Sequence, residues 1–289
     1  MFLLRLLSRL PFTIHYLISD FLFVVSYYLI RYRRRLVKTS LANSFPEKST
    51  LELNEIEKEF YRNLCDYAVE TLKLLTITKE ELNKRMKYVG WDGPLGIYKE
   101  KNQSVILLAS HTFNWEWLLV AGTLQLPLEI DFVYQPQNSE FFNKFSLAMR
   151  TRFGAHAISR SEVAKVNFKR RNMLRGISIV ADQYPGHASD KKYITQFLNQ
   201  ETAFFYGAAQ LAVTMKYPVV YASVIKVGRG RYENRFVRIS EPPYSDGNEI
   251  VENYARAVEK QIHEQPSGWL WSHNRWKKRH LKATARITN

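Results

Sequence analysis

The sequence predicts an α/β fold with a mostly parallel central sheet flanked by helices, preceded by an N-terminal membrane helix. Three observations predict it. The runs Ser104-Val105-Ile106-Leu107-Leu108-Ala109 and Ile177-Ser178-Ile179-Val180-Ala181 are short and continuously apolar, as strands buried on both faces are. Between such runs, apolar residues recur every three to four positions, the helical period. Strands alternating with helices favour a parallel sheet covered on both faces. The third observation is the stretch Leu10 to Ile30, 21 residues in which only His15 and Asp20 are strongly polar.

That stretch comes first. At about 1.5 Å per residue, one helix over it would cross the ~30 Å hydrocarbon layer. Arg31, Arg33, Arg34, Arg35 and Lys38 follow it, against only Arg5 and Arg9 before it. The more basic side of a span faces the cytoplasm, which places everything after residue 31 there. The run is too long for a cleaved signal peptide, and no small-residue cleavage site follows it. A spanning helix is the leading expectation. Asp20 and the aromatic Tyr16, Tyr27 and Tyr28 keep open a helix that lies on the bilayer or is buried in protein. Residues 1–38 thus read as anchor and basic flank, and 39–289 as a single α/β domain.

Within that domain, Leu53, Ile56, Phe60, Leu64, Tyr67, Thr71, Leu74 and Leu75 mark a helix over 52–75, with Ser49 or Thr50 as its cap. A strand at 104–109 leads to a helix opening near Asn114. A strand at 129–134, a helix at 139–152 and a basic helix at 162–175 follow, then the strand at 177–181. A helix at 203–215 precedes a β-rich run at 218–225, a turn at Gly228 and Gly230, and a strand at 235–239. A helix at 248–264 and a Trp-rich tail close the chain, and Lys282–Asn289 is polar enough to fray.

Composition limits the function. With 46% hydrophobic residues the chain is not disordered, and a single cysteine, Cys65, excludes an internal disulfide and a cysteine-based metal cluster. No HExxH-like pairing of histidines suggests a metal site. The formal charge of +15 calls for a polyanion: nucleic acid, acidic lipid or a phosphorylated substrate. No helix-turn-helix, zinc-finger or RNP-like motif is present. Five of the basic residues fall in 31–38 and five in 275–282, with no acid in either segment. That clustering points to an anionic bilayer rather than to nucleic acid.

In open α/β sheets, chemistry collects beyond the carboxyl ends of the strands. Ser110-His111-Thr112-Phe113-Asn114-Trp115-Glu116 lies there, directly after strand 104–109. On one continuous helix His111 and Glu116 would point about 140° apart. With His111 in the loop and Asn114 opening the helix, Glu116 falls in the first turn and can reach back to the imidazole. It would then set the tautomer and leave the other ring nitrogen free to accept a proton. The plainer alternative is a loop histidine bonded to backbone and an ordinary N-terminal helix charge. Asp182 follows strand 177–181 and either points into the same cleft or caps the turn ahead of Pro185-Gly186. Arg150 lies near the C-terminus of helix 139–152, which Gly154 ends. It could bind phosphate, pair with Asp182 or be a solvated basic end. No nucleophile elbow is visible, so the simplest chemistry is general-base activation of a hydroxyl.

Together these residues resemble a known family. His111-x4-Glu116 is similar to the HX4(D/E) signature of the glycerolipid and lysophospholipid acyltransferase superfamily, which implies a glycerol-3-phosphate acyltransferase-like fold. The wider resemblance is to its lipid A secondary acyltransferase branch, the lauroyl and myristoyl transferases of Gram-negative bacteria. It extends over the basic-flanked helix, Tyr134-Gln135-Pro136, the Arg150 region, the Asp182 turn, the segment Thr202 to Ala209, and Trp269 to Lys277. It implies transfer of a fatty acyl group to a hydroxyl of a membrane lipid, at the cytoplasmic face of the bacterial inner membrane. The implied donor is acyl carrier protein or, less often, coenzyme A, as co-substrate rather than bound cofactor. It also implies His111 as general base, Glu116 as its partner, and Arg150 and Asp182 as further active-site residues. Phe113, Trp115, Trp117, Leu118 and Leu119 would suit a wall for the acyl chain, or equally an ordinary core helix.

The departures bear on the acceptor. The Asn-His-x-Ser-x-x-Asp loop and Phe-Pro-Glu-Gly segment of the phospholipid-making branch are missing, which argues against lysophosphatidate. Trp117-Leu118-Leu119 and Gln137-Asn138 leave a lipid A precursor, a lysophospholipid, an ornithine lipid or another amino lipid open. The competing reading is an acyltransferase-like basic membrane-surface or nucleic-acid binding protein without chemistry, which high salt alone would release from membranes.

Overall fold

A computed structural model describes residues 2–186 and 190–277. The N-terminal third is helical: α1 (Phe2–Ser8), α2 (Phe12–Val24) continued by a π-helical turn Val25–Leu29, α3 (Arg34–Ser44), α4 (Thr50–Lys73) and α5 (Lys79–Arg85). Ser49 caps α4 in a reciprocal box, its Oγ accepting from the Glu52 N–H at 3.3 Å while the Glu52 carboxylate accepts from the Ser49 N–H at 2.8 Å. The stretch from Phe12 to Leu29 is long and apolar enough to cross a membrane, and it packs against α4.

The remainder alternates: β1 (Met86–Tyr88), α6 (Asp92–Glu100), β2 (Val105–Ala109), α7 (Trp115–Gln125), β3 (Glu129–Tyr134), α8 (Glu140–Arg150), β4 (His156–Ser159), α9 (Val163–Lys169) and β5 (Arg175–Val180). A hairpin of β6 (Lys192–Phe197) and β7 (Gln200–Phe205) interrupts, before α10 (Gly207–Met215), β8 (Val219–Gly228), β9 (Arg231–Ser240) and α11 (Asn248–Glu264). The main sheet has seven strands in the order β1-β9-β8-β2-β5-β3-β4, and every pair except β8–β9 is parallel. The apolar run 104–109 therefore becomes the central strand, buried throughout, with Leu107 beside Ser178 and Ala109 beside Val180. That register brings the ends of β2 and β5 side by side, and both candidate loops leave from there.

Two expected elements differ, each for a physical reason. The helix expected over 203–215 begins only at Gly207, because 200–205 pairs with 192–197. The turn between them, Leu198-Asn199, has both residues at positive φ, the type I′ geometry that suits a two-residue hairpin. Leu-Asn does not carry the Asn-Gly signature of that turn. The basic helix expected over 162–175 stops at Lys169, and Arg175 opens β5 instead. Arg175 is fully buried, donating to Asp131 at 2.5 Å and to Asn167 at 3.2 Å, so its charge is an internal tie rather than part of a solvated face.

The Trp-rich tail also differs from expectation. Trp269 and Trp271 are buried in the largest apolar cluster, and Arg275 is 1% exposed. These residues build the core and do not face a bilayer. Lys278 to Lys282 and the fraying expected of 282–289 lie outside the described residues.

Candidate active site

The site forms where β2 and β5 end. Beyond Ala109 the chain turns through Ser110 to Asn114. Phe113 there adopts φ 46°, unusual for an aromatic residue. The segment before Trp271 holds this turn: the Phe113 N–H donates to the Gly268 carbonyl at 2.8 Å, and the Leu270 N–H to the His111 carbonyl at 3.0 Å. A Cβ on Gly268 would sit 2.4 Å from the Phe113 ring, so only glycine permits this approach. Asn114 caps α7, its side-chain oxygen accepting from the Trp117 N–H at 2.9 Å.

The expected division between loop and helix is present: His111 lies in the loop and Glu116 in the first turn of α7. The carboxylate that meets the imidazole, however, is Asp182. His111 Nδ1–H donates to Asp182 Oδ1 at 2.6 Å, and the His111 main-chain N–H donates to Asp182 Oδ2 at 3.0 Å. The Trp269 indole N–H adds a third bond, to Oδ2 at 2.7 Å. Burial works against ionisation of Asp182. The adjacent imidazole and these three hydrogen bonds outweigh it and hold the carboxyl below the usual carboxylate range. Nε2 of His111 has no partner among the described residues, and the side chain is 17% exposed.

Glu116 points the other way. Arg150, the last residue of α8, clamps it with Nε at 2.7 Å and Nη2 at 2.5 Å. The carboxylate is 5% exposed and the guanidinium side chain 21%. The first turn of α7 faces the end of α8, so packing of these two helices determines which cation Glu116 meets. Arg150 accordingly pairs with Glu116 and not with Asp182. The Trp115 ring lies edge-on to His111 at 5.0 Å and stacks on Tyr67 at 4.0 Å. Phe113 of the turn and Trp117 and Leu118 of α7 are buried in the core, so these residues are packing and not an open wall.

Sequence reasoning left several supporting residues unassigned. Tyr254 OH donates to the Ala109 carbonyl at 2.7 Å, fixing the end of β2. Glu70 of α4, fully buried, accepts from Asn114 Nδ2 at 2.8 Å, Tyr232 OH at 2.9 Å and Tyr16 OH at 3.0 Å. Burial pushes its pKa up to about 7. His273, behind Asp182, is driven by burial down to about 4 and accepts weakly from the Tyr184 N–H at 3.5 Å. Trp269 and His273 lie in the segment Trp269 to Lys277 that carries the family resemblance, whereas Tyr254 and Glu70 come from elements with no motif.

Two cavities flank Tyr184. One of about 290 Å³ has the apolar residues Val133, Tyr134, Ile179 and Phe205 on its wall, with Gln135, Gln183, Arg160 and Asp190 among the rest. The other, about 530 Å³, is lined by Ile194, Thr202, Ala203, Arg275 and Trp276 among others. Among the described residues no group of three His, Cys, Asp or Glu could share a metal ion.

A histidine–carboxylate pair beside an arginine–carboxylate pair, at the strand ends of a parallel sheet, suits proton transfer next to a developing negative charge. In sequence, no curated protein matches the chain. The family model described as bacterial lipid A biosynthesis acyltransferase matches residues 1–278, which takes in both loops, α8 and the buried tail. The chain belongs to the bacterial lipid A biosynthesis acyltransferase family and is an acyltransferase.

Proposed function

We propose that this protein moves a fatty acyl group from an acyl thioester to a hydroxyl of a lipid A precursor or related membrane lipid, with His111 as general base. The observation that carries the reading is the His111 Nε2, without a partner among the described residues, on an imidazole whose Nδ1–H is held by a buried, ionised Asp182. That arrangement fixes the tautomer in which Nε2 accepts a proton. The acceptor hydroxyl gives its proton to Nε2 and its oxygen attacks the thioester carbonyl. The tetrahedral intermediate collapses, the C–S bond breaks, and the imidazolium returns the proton to the departing thiolate. No covalent enzyme intermediate is needed.

Glu116 serves to hold Arg150. With Nε and Nη2 both committed to Glu116, Nη1 of Arg150 is left to face the negative charge of the intermediate or of the donor's phosphate. The apolar side of the cavity of about 290 Å³ next to Asp182 takes the start of the acyl chain. The donor is acyl carrier protein, whose acidity suits a chain of net charge +15, and the reaction takes place at the cytoplasmic face of the inner membrane.

Mass spectrometry of the host's lipids with the wild-type chain, with His111→Ala and without the protein tests this reading. A lipid heavier by one acyl chain, present only with the wild type, is the expected result and names acceptor and chain length together. The same lipid made in full by His111→Ala would overturn the mechanism.

A further inference from the structure

We infer that the N-terminal segment, residues 2–32, docks flat on the surface of an anionic bilayer instead of crossing it. This rests on the membrane reading above and sharpens it. Phe12 to Leu29 spans roughly 27 Å as a helix, enough to cross. Its packing argues otherwise. His15, Ser19, Phe23 and Tyr27, each four residues apart, form one buried stripe against α4.

Polar ties run the whole length of that stripe. Tyr16 OH donates to Glu70 at 3.0 Å, Ser19 Oγ to Asp66 at 2.7 Å and Tyr27 OH to Glu57 at 3.4 Å, so α2 runs antiparallel to α4. At the start, Lys73 Nζ donates to the Leu10 carbonyl and Thr76 Oγ1 to the Ser8 carbonyl, each at 2.6 Å. Arg229, from the β8–β9 turn, bridges Asp20 at 2.7 Å and Asp66 at 2.8 Å. A helix crossing the bilayer in this packing would carry α4 with it. Glu57, Arg62, Asp66 and Glu70 would then sit at hydrocarbon depth, where charged groups are costly. Asp20, which looked out of place in a span, is explained by its partner on the protein side.

The opposite face is apolar and open. Ile14, Leu17, Ile18, Phe21 and Leu22 of α2 are exposed, Leu17 and Phe21 by about two-thirds, and so are Phe2, Leu3 and Leu6 of α1. Arg5 and Arg9 flank this face at one end, and the exposed Arg31, Arg35 and Lys38 at the other. Arg33 and Arg34 are absent from that rim, because Arg33 donates to the Ser272 carbonyl and Arg34 to Glu57, each at 2.9 Å. An apolar face rimmed by arginine matches the interior and headgroups of an anionic leaflet, which identifies the occupant. Through Glu70, which joins Tyr16 to Asn114, the docked helix is also tied to the loop that carries His111.

The test uses the full-length protein with an epitope tag and protease site at each end, in inside-out vesicles of bacterial inner membrane. Docking flat, the chain exposes both tags, and protease removes both without detergent. A C-terminal tag removed at once and an N-terminal tag protected until detergent is added would show a crossing helix and overturn the inference. A chain that stays in the supernatant when the vesicles are pelleted would overturn the membrane reading itself. In a second measurement, Leu17→Glu with Phe21→Glu is expected to weaken flotation with phosphatidylglycerol vesicles by about tenfold or more, with an unchanged melting temperature. Equal flotation of variant and wild type would count against the docking face.

Discussion

The two buried carboxylates of the site make an instructive pair. Asp182 and Glu116 lie just beyond neighbouring strands, both nearly inaccessible to solvent, and each is matched to a base. Asp182 meets an imidazole, a ring able to take up and release a proton, through one hydrogen bond, and the His111 main-chain N–H and the Trp269 indole N–H donate two more. Glu116 meets a guanidinium, whose charge cannot change, through two parallel bonds. The first arrangement can help move a proton; the second can only hold a positive charge in place. The HX4E spacing thus joins two residues with different partners, and the pairing that matters for His111 crosses 71 positions of sequence.

This contrast can be broken experimentally, starting with the largest effect. His111→Ala should lower kcat by about a thousandfold or more, within the range expected for loss of a general base, in a protein that still folds by circular dichroism. Asp182→Asn should cost nearly as much, because the amide no longer fixes the Nδ1–H tautomer and leaves the imidazolium without its counter-charge. Glu116→Gln, measured in the same assay, should lose only about tenfold to a hundredfold, since Arg150 keeps its own charge. If Glu116→Gln were the more damaging of the two, Glu116 would have to turn to the imidazole in the working enzyme.

A smaller effect is expected at Trp269→Phe, which removes one of three bonds to Asp182 and should cost roughly 1 kcal/mol in chemical denaturation. Its pH dependence sharpens the comparison. Asp182, with its pKa held low, contributes stability that is complete above the ordinary carboxylate pKa and disappears as pH falls through its lowered value. Trp269→Phe should move that acid limb upward.

Glu70 has the opposite sign. Its pKa is raised from 4.5 to about 7, so the folded state binds the extra proton, and stability declines as pH rises between those values. The decline amounts to about 3 kcal/mol at most. Glu70→Gln should flatten that part of the stability profile, as measured by denaturant midpoints from pH 5 to pH 8.

Much of the fold is legible in short windows. Residues 105–109 are apolar at every position because β2 is covered on both faces, and Asn114 opens α7 as its cap chemistry suggests. The elements that were missed depend on a distant partner. Residues 200–205 become a strand only because 192–197 lies alongside, and the charge of Arg175 can be buried only where Asp131 awaits it. Trp269 and Trp271 look like interfacial anchors by composition, yet fill the space behind the site.

The residue order alone was enough for the class of fold, the two strand-end loops and the apolar N-terminal helix. Each rests on local periodicity, which one segment carries by itself. Which carboxylate holds His111, what Glu116 does with its charge, and which face of the N-terminal helix meets α4 were decided by tertiary packing. Hydrogen bonds and ion pairs act over about 3 Å, and a linear sequence does not record which of its distant residues will come that close.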